Sequence, residues 1–470
     1  MPIPVISSAQ MREWEAATWA TGVTEDDVIR RVGKRVARRA RKLTRAGDTI
    51  LFLVGKGHNG DDARAAAKQL EGRRAEVLEM FLPDTDLLPL ENALREKPAL
   101  VVDGLFGLGL NRPLSDAWQK IISTVNESKI PVLAIDVPSG LNADTGETFG
   151  ACVQATVTLT VAAPKAGLLA PAAWPFVGRL EVAEDVGLVP CPLESELNWT
   201  RPEDFQNFPP ARPVASHKGD FGHVAIIAGS LGYHGAAVLA MRGAQRAQPG
   251  LATLLTPENI FPPVAAQLQS AMVNTWKPDS QFPAGMTALL VGPGLVATNL
   301  LGEPHLTIRP WWRKLECPLV VDASALNLLT PDPFLKNAVR VLTPHPGEAA
   351  RLLAYSTEKV QANRVQTVRE LSRKFGGCWV VLKGHQTLIG RSEGKIFVNS
   401  SGNPHLAQGG SGDLLAGFIA GLLAQPALAA DAETALRYAV WQHGAAADKL
   451  SLTEKNWTVE DLSAELGNAR

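Results

Sequence analysis

Charge of one sign, paired cysteines and long apolar runs are all missing from this chain of 470 residues. Its 46 Lys and Arg face 47 Asp and Glu, a formal net charge of −1, so no surface for nucleic acid or an anionic membrane is expected. The basic residues between Arg31 and Arg45 read as one solvated helix face. The four cysteines, Cys152, Cys191, Cys317 and Cys378, are widely spaced with no CxxC, which excludes a disulfide framework and points to buried thiols in a reducing compartment. No apolar run reaches the roughly 20 residues of a membrane span. The first residues lack the basic-then-apolar order of a secretory leader, so a cytoplasmic location is the expectation.

What is present is a soluble-type composition, 46% hydrophobic and 20% charged, over a length that one ordinary core does not fill. Short β-branched runs alternate with longer helical patterns in both halves, which predicts α/β folds with parallel sheets wrapped by helices. In the first half the runs are Ile50-Leu51-Phe52-Leu53-Val54, Ala99-Leu100-Val101-Val102 and Val132-Leu133-Ala134-Ile135. In the second they are Val224-Ala225-Ile226-Ile227, Ala288-Leu289-Leu290-Val291, Pro318-Leu319-Val320-Val321 and Trp379-Val380-Val381-Leu382. Between Val189 and Pro213 stand six prolines and few apolar runs, read as a linker between domains 1–200 and 206–470. The halves share no visible repeat.

The most informative stretch is Asn403-Pro404-His405-Leu406-Ala407-Gln408-Gly409-Gly410-Ser411-Gly412-Asp413, followed by an apolar Ala/Leu/Gly run. It reads as a glycine-rich loop opening a buried helix, whose free N–H groups and positive dipole end suit an anion. Asp413 at that point can take a proton from a hydroxyl while the amides hold a transferring phosphate; a plain turn with an Asp cap is the alternative. In the first half, Gly55-Lys56-Gly57-His58-Asn59-Gly60-Asp61-Asp62 joins a strand to an Ala-rich helix as a generic phosphate cradle. Asn59, Asp103 and Ser139 would offer oxygens to one point above the sheet, suitable for a hard cation, and Asp136 is a candidate acid/base. Ordinary caps and turns would use the same residue types.

Five further segments stand with the Asp413 loop in fixed order: Lys218-Gly219-Asp220-Phe221-Gly222-His223, Gly229-Ser230-Leu231-Gly232-Tyr233-His234-Gly235-Ala236, Val291-Gly292-Pro293-Gly294-Leu295, Thr343-Pro344-His345-Pro346-Gly347-Glu348 and Lys383-Gly384-His385-Gln386-Thr387. Together they resemble the ribokinase-like superfamily, and most closely its ADP/ATP-dependent NAD(P)H-hydrate dehydratase branch. Ser8-Ala9-Gln10-Met11-Arg12, the Gly55, Asp103 and Asp136 segments and Pro164-Lys165-Ala166-Gly167-Leu168 resemble the NAD(P)H-hydrate epimerase domain. In this order the halves are similar to the bifunctional NAD(P)H-hydrate repair family. The resemblance implies an N-terminal Rossmann-like three-layer sandwich and a C-terminal ribokinase-like α/β domain. It also implies epimerisation of the R and S hydrates of NADH and NADPH, and nucleotide-dependent dehydration of the S hydrate through a phosphorylated intermediate.

By the same resemblance Asp413 and Asp136 are the catalytic residues. Gly294, His345 and Asp413 would bind the hydrate in the dehydratase. Lys383, Gly384, His385, Gln386, Thr387, Gly410, Ser411 and Gly412 would bind ADP or ATP, with Mg2+. In the epimerase the substrate would meet His58, Asn59, Gly60, Asp61, Asp62, Gly107, Leu108, Gly109, Leu110, Asn111, Arg112, Pro113 and Asp136, and K+ would sit at Asn59, Asp103 and Ser139. A homo-oligomer is expected. The chain departs from the family's pattern at His58, Asp61 and Ala63, where Asn, Gly and Gly are usual, at Val28-Ile29-Arg30 in place of Leu-Met-Glu, and at Ser324 in place of a second Asp. Asp61 is expected to set a negative charge against an anionic ligand and slow the epimerase through binding. The alternative is a ribokinase-like small-molecule kinase carrying a non-catalytic nucleotide-binding module.

Overall fold

The computed structural model describes residues 2–277, 280–295 and 304–469, and the chain divides into two compact units, Ile3–Glu196 and Leu197–Arg470. The first holds a six-stranded, wholly parallel sheet in the order Arg74–Glu79, Thr49–Val54, Leu100–Gly104, Val132–Ile135, Val157–Val161, Arg179–Ala183. The central strands are apolar on both faces because helices cover both: Ile50 through Val54 have no exposed surface. The basic run lies on the helix Glu25–Leu43, which buries Val28, Val32, Val36, Ala37 and Ala40 and leaves Arg30, Arg31 and Arg38 exposed. Chain order reverses between Thr49–Val54 and Leu100–Gly104. Open α/β sheets bind ligands at the carboxyl end of such a switch point.

In the second unit the strands run Met272–Thr275, Leu251–Thr256, His223–Ile227, Ala288–Val291, Leu319–Val321, Arg340–Leu342, Trp379–Leu382, Leu388–Gly390, Ile396–Val398 and Leu197–Trp199. The first seven are parallel; Leu388–Gly390 and Ile396–Val398 form antiparallel pairs beyond them. Its switch point flanks His223–Ile227, so the loops after Ile227 and Val291 open the crevice. All seven runs predicted as strands are strands. Among the helices over the core, His234–Arg246 and Ser411–Leu423 run side by side in the same direction. They touch backbone to backbone: a Cβ on Gly417 would stand 1.8 Å from the Ala240 carbonyl oxygen, and one on Gly243 2.1 Å from that of Leu414.

The proline-rich stretch is not a free linker along its whole length. Leu197–Trp199 pairs in parallel with Ile396–Val398, Phe205 enters the core, and Asp204 Oδ2 accepts a 2.6 Å bond from the buried Arg437 guanidinium. Prolines at 190, 192 and 202 punctuate this strand without entering it. A chain beginning at residue 206 loses the strand, Phe205 and the partner of a buried cation. It should be less stable than one beginning at residue 195 by about 3–5 kcal/mol, the cost of breaking a buried ion pair from one side. Urea midpoints of the two chains check this, and coincident curves would contradict it.

Candidate functional site

The crevice of the second unit is laid out by strand order. The loops after Ile227 and Val291 are laced together: Gly229 N–H donates to the Pro293 carbonyl (2.8 Å) and the Ser230 hydroxyl to the Gly294 carbonyl (2.7 Å). Gly294 has φ +63°, and a Cβ there would meet Tyr233 O and Ala236 Cβ at 2.7 Å, so close approach requires glycine. Next along the sheet edge comes Asp322, buried at the end of Leu319–Val321. Its Oδ1 accepts from Thr343 Oγ1 (2.7 Å) and from Lys383 Nζ (2.8 Å). His345 caps the helix Pro346–Leu353, its Nδ1 accepting from the Gly347 amide (3.0 Å) while its own N–H donates to Glu348 Oε2 (2.8 Å). Accepting at Nδ1 places the neutral ring's proton on Nε2.

Opposite these strand ends begins the helix Ser411–Leu423. Gly410, at φ +93°, turns the loop into it. The amides of Gly412 and Asp413 have no acceptor among the described residues, as expected for a first turn. A Cβ on Gly412 would come 3.3 Å from Lys383 Nζ, so ammonium and helix tip converge. Burial first, then the charge of Asp322, pushes the Asp413 carboxyl up to about 7 against the lowering by Lys383. Burial works against the Lys383 charge, but Asp322, Glu348 and Asp413 outweigh it and hold the ammonium above the usual lysine range. A carboxyl poised near neutrality beside a fixed cation is the arrangement a general base for phosphoryl transfer needs.

Lys383 to Thr387 form an irregular loop with Gly384 at φ +127° and Gln386 at φ +51°. Thr387 Oγ1 donates to the Gly384 carbonyl (3.0 Å), and the buried Arg364 reaches the carbonyls of Leu382 (3.3 Å) and His385. Burial and Arg364 lower the His385 pKa. Ser411 Oγ lies 3.3 Å from Nε2 of His443, a ring that burial lowers to about 4 and so keeps neutral. Three of these residues were passed over in the sequence. Arg364 opens the helix Arg364–Lys374 and His443 lies mid-helix in Ala432–Thr453, neither with any signal in the sequence. Asp322 stands in the segment where attention fell on the charge missing at Ser324. The Lys218–His223 segment does not join them: it precedes a strand, at the amino edge of the sheet.

In the first unit, Asn59, Asp103 and Ser139 do converge. Ser139 donates to Asp103 from its hydroxyl (2.6 Å) and its amide (2.8 Å), and Ser139 Oγ accepts from the Phe106 amide (2.9 Å). Asn59 Nδ2 donates to the Phe106 carbonyl (2.9 Å). The Asp103 carboxylate is wholly buried with only neutral donors around it, and burial raises its pKa despite them. A monovalent cation fits this donor set, because it would answer a carboxylate that no basic side chain meets. Asp136, at φ +60°, receives three donors on one oxygen: Thr160 Oγ1 (3.0 Å), the Val161 amide (2.9 Å) and Lys165 Nζ (2.5 Å). Lys165 has no exposed surface, and among the described residues no donor reaches Asp136 Oδ2. Lys165 stood in a segment singled out in the sequence, yet a lysine between apolar residues gives no sign of being buried.

The neighbouring residues are less uniform. Asp62 is buried, its Oδ1 has no hydrogen-bond partner among the described residues, and burial followed by the charges of Asp136 and Asp61 raises its pKa well above the carboxylate range. Gly60 packs on the Gly55 carbonyl, where a Cβ would stand 2.0 Å from the oxygen, and Gly107 lies against the Asn59 side chain. His58 turns outward to Glu25 (3.0 Å). The Leu108 carbonyl accepts from Arg12 (3.3 Å) and the Leu110 amide donates to Gly107 (3.2 Å), while Gly109, Asn111, Arg112 and Pro113 are exposed. The Asp61 carboxylate pairs with Arg64 Nη1 at 2.6 Å, one turn along the same helix, and Arg64 is shared with Glu79 at 3.1 Å, so one negative charge among these three groups stays unbalanced.

A parallel six-stranded first unit, joined to a second whose mixed sheet and glycine-loop aspartate are ribokinase-like, defines a two-domain α/β enzyme. Residues 224–469 match the family model described as NAD(P)H-hydrate dehydratase, and residues 25–92 and 81–167 match the one described as the YjeF-related protein N-terminus. The chain is 35% identical to a bifunctional NAD(P)H-hydrate repair enzyme of Gloeobacter violaceus over 98% of its own length and 96% of the relative's. To the Escherichia coli enzyme so named it is 34% identical over 93% and 88%. A ribokinase-like superfamily protein of Enterococcus faecalis superposes at a TM-score of 0.51, with 26% identity, covering 59% of this chain and 96% of its own. The chain belongs to the family of bifunctional NAD(P)H-hydrate repair enzymes. No helix among the described residues is long and apolar enough to cross a membrane.

Proposed function

We propose that the second unit phosphorylates and dehydrates the S hydrate of NADH and NADPH, and that the first interconverts the R and S hydrates. The observation that carries the reading is the placement of Asp413, at an open helix N-terminus and close to Lys383, between the laced loops at Gly294 and the loop Lys383–Thr387. The hydroxyl on carbon 6 of the hydrate would lie by Gly294 and His345, with its proton passing to Asp413. ADP or ATP would lie along Lys383–Thr387, and the amides at Gly410–Gly412 would hold the transferring phosphoryl group. Phosphate then leaves carbon 6 as carbon 5 loses a proton, restoring the ring double bond; hydroxide would be a far poorer leaving group. Magnesium enters with the nucleotide phosphates and keeps much of its water shell.

In the first unit the same carbon bears both hydroxyl and ring nitrogen. Removal of the hydroxyl proton by Asp136 Oδ2 lets the carbon–nitrogen bond open, its electron pair going to nitrogen, and leaves a planar carbonyl. Reclosure on either face exchanges the epimers. Asn59, Asp103 and Ser139, which meet at the Phe106 turn, would hold K+.

The test is restoration of reduced cofactor from separated hydrate epimers by the whole purified chain. The S hydrate should return NADH only with MgADP or MgATP, and the R hydrate should follow through the S form. Failure of either epimer to be consumed above its spontaneous rate would overturn the corresponding half.

A further inference from the structure

Tyrosine is scarce in this chain: there are three, at 233, 355 and 438. The Tyr355 ring lies under Lys359 Nζ at 3.4 Å and its hydroxyl donates to Glu370 (2.8 Å), while Tyr438 packs in the core against Phe205. Tyr233 differs. It is 59% exposed, Leu231 two residues before it is 69% exposed, and among the described residues the Tyr233 ring and hydroxyl have no partner. Its backbone is nevertheless fixed. The Tyr233 amide donates to the Ser230 carbonyl (2.8 Å), Ser230 is buried and bonded to Gly294, and Gly294 fits only as glycine beneath Tyr233. Two large apolar groups are thus held out of the core by a rigid turn, at the rim of the crevice.

Helix packing gives the direction. Leu239 lies level with Gly410, where a Cβ would meet Leu239 Cδ1 at 2.4 Å. Tyr233 stands six residues earlier, so it overhangs the glycine loop by about 9 Å at 1.5 Å per residue. Side chains on a helix lean toward its N-terminus, which tips Asp413 to the same end. A flat ring whose substituent must reach Asp413 would therefore pass beneath Tyr233. The other aromatic candidate, the base of the donor nucleotide, belongs over Lys383–Thr387. The strand that leads into this loop, Trp379–Leu382, is four places along the sheet from His223–Ile227, about 19 Å at 4.8 Å per strand.

We propose that Tyr233 is a positioning and specificity-determining residue of the dehydratase site, its ring lying against the nicotinamide ring of the hydrate with Leu231 at the edge. This rests on the dehydratase reading above. Stacking is felt alike in ground and transition states, so its loss raises KM and spares kcat. Tyr233→Ala should raise KM for the S hydrate about tenfold, a typical stacking contribution, with KM for the nucleotide unchanged. Tyr233→Phe should keep the wild-type KM, since the face acts and the hydroxyl does not. An unchanged KM in the Ala variant, a Phe variant as poor as Ala, or a rise in the nucleotide KM instead would each overturn the assignment. Absence of dehydration by the wild-type chain would fail the dehydratase reading itself. In that case equilibrium binding of NADH, followed by its own fluorescence, still decides: about tenfold weaker binding to Tyr233→Ala supports the contact, and equal binding refutes it. Both side chains are exposed, and thermal melts of the variants check that the fold is kept.

Discussion

Asp413→Asn is expected to lower dehydration of the S hydrate by on the order of 10²-fold or more, the usual cost of a lost general base, while nucleotide binding persists. The wild-type carboxyl titrates near 7, so kcat/KM should fall about tenfold per pH unit below that point and level off above it. The same shift makes a stability statement whose sign is opposite to that of a salt-bridged aspartate. Because the folded-state value lies above the ordinary 3.8, the folded chain binds this proton more tightly than the unfolded chain. Stability is therefore lost as pH rises between those values, and the loss is complete above about 7. Asn carries no such penalty. The variant should melt higher than wild type at pH 8 and no higher at pH 4, so the enzyme is more stable without its base. Near-normal turnover in Asp413→Asn, or a flat pH profile, would sink the assignment.

Asp136→Asn is expected to abolish epimer exchange and also to destabilise the first unit by about 3–5 kcal/mol, because Lys165 is left as a buried charge without its carboxylate. Two effects from one substitution need separating. Adding Lys165→Met removes the orphaned ammonium, so the double variant should recover much of the lost stability in urea melts and none of the activity. Recovery of exchange in the double variant would mean that Asp136 serves the fold and not the reaction.

The scaffold was legible because parallel strands covered on both faces are continuous apolar runs, and the three runs of the first half lead directly into Gly55, Asp103 and Asp136. The convergence of Asn59, Asp103 and Ser139 followed from their places at three strand ends. What stayed hidden depended on partners distant in sequence or on packing alone. Lys165 finds Asp136 across 29 residues, and nothing local marks it as buried. Asp61 and Glu79 share Arg64, a pairing that exists only once helix and strand are brought together. Leu197–Trp199 is too short, and too closely flanked by prolines, to read as a strand; its partner lies 200 residues later. Ser324 drew attention as a missing carboxylate, whereas the one that grips Lys383 is Asp322.

The backbone contact between the two core helices has a consequence for how natural variation in this protein would be interpreted. Ala at Gly417 would overlap the Ala240 carbonyl, far from any bound molecule, and the helices could relieve it only by separating. One of them carries Asp413 at its tip and the other carries Tyr233. A single methyl group in the interior would thus behave in an assay like an active-site lesion, and in a table of alleles it would be filed with the wrong cause.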